Sequence, residues 1–167
     1  MTKTFIKGAL LAAVAFSATP ALAANPETFT ASAVIQKPID ITKKSDLNFG
    51  TVTMGATLVS EDVVVAASSG ATAACGSAQL VCSGTSGPAG FDVTGVGSQT
   101  VSLSYGTAPT QLKTAANDTV AFQLNGPTTV ALTSGAGSFN VGGKITVVAA
   151  TKPGSYSANL DVTASYQ

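Results

Sequence analysis

Two cysteines, Cys75 and Cys82, are the residues best equipped for chemistry in this 167-residue chain. A thiol pair acts in redox exchange when spaced C-x-x-C, and in metal binding when joined by His or carboxylate ligands. The C-x6-C spacing here has neither, and the chain contains no His. In a protein that leaves the reducing cytosol such a pair is expected to close as a structural disulfide, clipping one short loop.

Little else could carry a reaction. All eight basic residues are Lys, and the eight acidic ones are scattered without a paired-carboxylate motif. Serines are abundant, yet no G-x-S-x-G or S-x-x-K pattern surrounds one. Clusters of Asp and Asn of the calcium-loop type are missing too. The expectation is a protein that is not an enzyme, with no cofactor and no metal. It offers no basic surface to nucleic acid or to an anionic membrane.

The exported fate rests on the first residues. Lys3 and Lys7 precede an apolar stretch from Gly8 to Phe16, and Ala21-Leu22-Ala23 supplies the small-x-small pattern of a cleavage site. Residues 1–23 thus read as a signal peptide. No later segment has the eighteen or more apolar residues of a spanning helix, so the chain after cleavage is expected to be soluble. The rest, residues 24–167, suits a single domain.

That remainder is rich in Thr, Val, Ser, Ala and Gly, the composition of strands and turns rather than of helical surfaces. Alternating runs recur: Val101, Leu103 and Tyr105; Val120, Phe122 and Leu124; Val130 and Leu132; Ile145, Val147 and Ala149. Ser134-Gly135-Ala136-Gly137, Gly142-Gly143 and Lys152-Pro153-Gly154 read as breakers between them. Asp62 to Ala67 is apolar on both faces and suits a central strand. The apolar parity shifts across Gly50, which predicts a bulge or strand switch. Ser68 to Gly90 reads as a long loop with one short strand near Leu80 and Val81. The fold class expected is all-β, an antiparallel β-sandwich.

Two terminal runs stand apart. From Ser155 to Tyr166 the alternation is unbroken, with Tyr156, Ala158, Leu160, Val162, Ala164 and Tyr166 on one face, which predicts one long strand. Near the other end Phe29, Ala31, Ala33 and Ile35 share a face, until Lys37-Pro38 interrupts. Residues 24–36 therefore read as an N-terminal extension, followed by a domain over residues 37–167 whose first strand is Ile39 to Thr42. An apolar strand with a single charge, Glu27, is an aggregation hazard unless it folds back as an edge or is meant for another chain's sheet. Strand addition between chains is a known recognition mode, the main chain giving affinity and alternate side chains specificity.

With these features in order the chain resembles chaperone-usher pilins, and more closely the secreted β-sandwich group of spore-coat-U-like and archaic-type pilin subunits and related domains of unknown function. The likeness lies in the signal segment, the alternating extension, Leu47-Asn48-Phe49-Gly50, Phe139-Asn140-Val141-Gly142-Gly143, and Pro153-Gly154-Ser155-Tyr156 leading into Val162 to Gln167. The resemblance implies an immunoglobulin-like sandwich lacking its last strand and completed by donor-strand exchange. A periplasmic chaperone fills the groove, an outer-membrane usher catalyses exchange, and the extension of an identical or related subunit replaces the chaperone. It further implies a fimbrium or pilus at the cell surface, serving cell adhesion. Phe29, Ala31, Ala33 and Ile35 would be the donor residues. Gly154, Tyr156, Ala158, Leu160, Val162, Ala164 and Tyr166 would form the groove edge that the chaperone recognises, Tyr166 being penultimate and Gly154 fourteenth from the end as in typical pilins. One departure is plain: pilins usually join their first two strands by a disulfide, whereas Cys75 and Cys82 lie mid-chain. The alternative is a self-complemented secreted β-sandwich, a surface, coat or carbohydrate-binding protein, although the chain has no Trp and only three Tyr to build a sugar platform.

Overall fold

The computed structural model describes residues 26–106 and 109–167; the expected signal peptide, residues 1–23, lies outside them. The chain divides into two units, Met1–Val34 and Ile35–Gln167. Within the first, residues 26–34 form no strand and all are exposed.

In the second unit every regular element among the described residues is a strand. They are β1 (Asp40–Ser45), β2 (Thr51–Met54), β3 (Ser60–Val65), β4 (Ala74–Cys75), β5 (Leu80–Ser83) and β6 (Ala89–Thr94). Then follow β7 (Thr100–Tyr105), β8 (Gln111–Lys113), β9 (Thr119–Asn125), β10 (Thr129–Ala131), β11 (Ala136–Val148) and β12 (Val162–Tyr166). All pairings are antiparallel. A large sheet runs β1-β6-β11-β3-β4, with β9 against β11 and β8 against β9; β10-β7-β12 form a second sheet, and β2-β5 a separate ribbon. The architecture is all-β, an immunoglobulin-like sandwich that is open and incomplete.

Alternation explains which side chains face inward. In β9 Val120 and Phe122 are buried while their neighbours are exposed, and in β7 Val101 and Leu103 are buried with Thr100 and Ser104 exposed and Ser102 half-buried between them. Two clusters result. One, around Val93, Val101, Leu103, Val130, Leu132 and Phe139, is enclosed between β1-β6-β11 and the β10-β7-β12 sheet. The other, around Val63, Leu80, Leu112, Val120, Phe122, Ile145 and Val147, lies under the remainder of the large sheet and the ribbon.

β11 joins the two. Ala136 to Val141 pair with β6, and Gly142 to Thr146 with β9, so a 13-residue strand runs through both clusters. Gly142-Gly143, expected to break the chain, instead sits in the middle of this strand. The reason is close approach: a Cβ at Gly142 would fall on the Val65 carbonyl oxygen, and one at Gly143 would lie 2.8 Å from the Phe122 ring. Ser134-Gly135 does turn the chain, between β10 and β11, with both residues at positive φ as a two-residue hairpin requires.

The parity shift at Gly50 is a strand switch. β1 pairs with β6 in the large sheet, Asn48 bridges Gly87, and β2 then leaves to pair with β5. Asn48 Oδ1 accepts the Gly50 N–H at 2.8 Å, and Gly50 takes φ +73° in the turn. The expected loop from Ser68 to Gly90 holds β4 as well as the strand at Leu80 and Val81. Asp62 to Val65 of the expected central strand lie in β3, which pairs with both β11 and β4. Its inward residues Val63 and Val65 are fully buried, while Val64 on the other face is 39% exposed.

The C-terminal run departs furthest from expectation. Only Val162 to Tyr166 forms a strand, paired with β7 in the second sheet. Residues 155–161 carry one isolated bridge, from Ser157 to Lys113 of β8 in the large sheet. The unbroken alternation thus spans two sheets, because both halves must turn the same face toward a core although the cores differ.

Candidate functional site

The second cluster is left open along one side by a groove of about 840 Å³. Its floor is apolar: Leu112, Val120, Phe122, Ile145 and Val147, with Phe49 set edge-to-face on Phe122 at 6.3 Å between ring centres. One wall is β2, where Val52 and Met54 turn inward; the other is the stretch Tyr156 to Leu160.

Both walls present unused main-chain groups to the groove. Gly55 N–H donates to Gln79 O at 2.8 Å, which fixes the phase of the β2-β5 ladder. In an antiparallel pair successive residues aim their amides to opposite sides, so Val52 and Met54 direct N–H and C=O away from β5, toward the groove. On the facing wall Ser157 exchanges both main-chain bonds with Lys113 at 3.0 Å. Tyr156 and Ala158, one step either side, therefore direct theirs into the groove. The space has the form of a missing strand, with a ladder waiting on each side and apolar side chains beneath.

The ribbon that makes the first wall is tied to the large sheet by a disulfide between Cys75 and Cys82, with Cα atoms 5.9 Å apart. Cys75 lies opposite Val63 on β3 and Cys82 opposite Val52 on β2, so the bridge spans the seam between sheet and ribbon. Both sulfur residues pack against the open cluster. The expected pairing is present, and its place in the fold is beside the groove.

Charge is sparse. Lys152 is the one charged residue among those lining the groove. Its Nζ donates to Asp118 Oδ1 at 2.6 Å, and that hydrogen bond, with the attraction of the carboxylate, raises the Lys152 pKa. Tyr156 Oη donates to the Lys152 carbonyl at 2.7 Å and fixes the rim loop. Among the described residues no group of three or more His, Cys, Asp or Glu could hold a metal ion, and no polar or charged residue is buried. Such a groove can bind an extended apolar segment; it holds no pair of groups for acid-base or nucleophilic work.

The groove-edge residues read from the sequence divide into two sets. Gly154, Tyr156, Ala158 and Leu160 line the groove. Val162, Ala164 and Tyr166 do not; they pack against the enclosed cluster. Phe29, Ala31, Ala33 and Ile35 are exposed, Phe29 at 93% and Ile35 at 95%, with no strand partner. The β2 wall and the floor were not singled out from sequence as a site. The parity shift at Gly50 was the signal for that wall, since a strand leaving its sheet exposes a new edge.

No curated protein and no solved structure matches the chain. A family model described as a domain of unknown function (DUF4402) matches residues 39–166, which takes in every strand from β1 through β12. With that span matched, the chain belongs to the DUF4402 family, in keeping with its resemblance to pilin-related domains of unknown function.

Proposed function

We propose that this protein is a structural subunit of a surface fimbria that polymerises by donor-strand complementation. The observation that carries the reading is the strand-shaped groove, apolar in its floor and lined on both walls by unpaired main-chain groups. The occupant is residues 24–36 of another subunit, laying Phe29, Ala31, Ala33 and Ile35 onto the floor. Burying Phe29 and Ile35 is worth roughly 1.5 to 3 kcal/mol each. The two alanines add little, and the main chain pairs on both sides. Residues 1–23 direct export as a cleaved signal. A periplasmic chaperone shields the groove and an outer-membrane usher hands the subunit on, so that homopolymers reach the cell surface, where they serve adhesion.

The test is direct. Residues 37–167 are produced without the extension, and thermal unfolding is followed with and without a peptide covering Ala24 to Gln36. A ligand that binds only the folded state at a hundred times its Kd adds about 2.7 kcal/mol. The native peptide is expected to raise Tm, and a peptide carrying Phe29→Asp and Ile35→Asp to leave it unchanged. If the native peptide also leaves Tm unchanged, the reading is wrong. Electron microscopy of the exported chain is expected to show filaments.

A further inference from the structure

We propose that Tyr166 is a positioning residue for assembly: its hydroxyl pins the root of the extension so far from the groove that a chain cannot fill its own. The inference rests on the donor-strand reading above.

Tyr166 Oη accepts the Val96 N–H at 2.8 Å and donates to the Lys37 carbonyl at 2.9 Å. Space for this hydroxyl exists because residue 95 is glycine; a Cβ there would lie 2.6 Å from it. Gln36 Nε2 reaches Gln99 Oε1 at 3.5 Å beside the same loop. Three segments distant in sequence thus meet at one hydroxyl, and one of them is the last residue before Pro38, where the extension begins.

Along the chain, the groove-lining residue next to Tyr166 is Leu160. From Leu160 to Tyr166 the chain takes six steps, Val162 to Tyr166 of it paired along β7, an extended reach of ~20 Å at ~3.3 Å per residue. A segment rooted at Lys37 must spend the same six residues to come back, so Ala31 is the first that reaches the mouth. Ile35 and Ala33 stay outside their own groove, and half of the apolar face is lost to self-complementation. Another chain's extension has no such tether and can lay down all four residues. If the latch opens, the root moves to Ile39, which packs against the enclosed cluster, and Ala33 comes within reach.

The experiment uses the exported chain with two alterations made separately. Tyr166→Phe keeps the ring and removes the hydroxyl. An insertion of Gly-Ser-Gly-Ser between Gln36 and Lys37 leaves Tyr166 intact and lengthens the tether. Assembly is followed by size-exclusion chromatography with light scattering, folding by circular dichroism, and groove occupancy by binding of the Ala24 to Gln36 peptide. Both alterations are expected to raise the folded monomer fraction about fivefold or more, with peptide binding blocked in that monomer. Adding Phe29→Asp to either is expected to reopen the groove to peptide. If both altered chains assemble as the unaltered one does, the latch has no positioning role, whereas an unaltered chain that neither assembles nor takes the peptide overturns the donor-strand reading itself.

Discussion

Ser157 and Lys113 bind each other through both main-chain groups, N–H to carbonyl in each direction at 3.0 Å. This isolated bridge holds the free-standing wall of the groove to the edge of the large sheet. It also sets the phase by which Tyr156 and Ala158 face the vacant strand position.

Replacing Ser157 by Pro removes one of those donors and restricts the residue before it. The domain is expected to stay folded at a cost of about 1 to 2 kcal/mol. Affinity for the extension peptide, measured by isothermal titration calorimetry, is expected to fall tenfold or more. Ser157→Ala, which retains both bonds, is expected to bind as the unaltered domain does.

Gly142→Ala is expected to destabilise by about 1 to 3 kcal/mol or more, because the added methyl meets the Val65 carbonyl in a packed interior. Urea denaturation followed by circular dichroism measures it. A cost near zero would mean that β3 and β11 have room to separate.

Cys75→Ser with Cys82→Ser opens a ring of about eight residues, worth roughly 2 to 3 kcal/mol by closure entropy. The loss is expected to be local. In hydrogen exchange the amides of β2 and β5 should quicken, while those of β6, β7 and β12 around the enclosed cluster keep their protection. Uniform quickening would show that the bridge supports the whole sandwich rather than the wall.

Asp62 accepts a hydrogen bond from Thr146 Oγ1 at 2.6 Å and one from Lys144 Nζ at 3.0 Å. The hydroxyl first and the ammonium second pull its pKa below the ordinary 3.8. A carboxylate depressed in the folded state contributes stability that is complete above that ordinary value and is lost as pH falls through the lower, folded value. The contribution is below about 1 kcal/mol, since the side chain is 43% exposed and screened by solvent. Asp62→Asn is expected to narrow the difference in urea midpoint between pH 7 and pH 3.

Much of the fold was legible because side-chain period reports which face of a strand is buried. Val120, Phe122, Val101 and Leu103 all lie inward as their alternation requires. Period does not report the partner strand. Hence the run from Ser155 to Tyr166 reads as one strand, although its first half bridges β8 and its second pairs with β7. Glycine misleads for a related reason: locally Gly142-Gly143 resembles a turn, and only the nearby Val65 carbonyl and Phe122 ring show why side chains are forbidden there.

By itself, then, the sequence determined strands, their inward faces, the cysteine pairing and an apolar extension that its own charges do not protect. Those properties follow from local periodicity and composition. Tertiary structure alone decided that β2 and Tyr156 to Leu160 are the walls of one groove, and that Tyr166 lies away from it, holding Lys37. Walls and latch join residues about a hundred positions apart or more, and such meetings depend on sheet order and register, which no local pattern encodes.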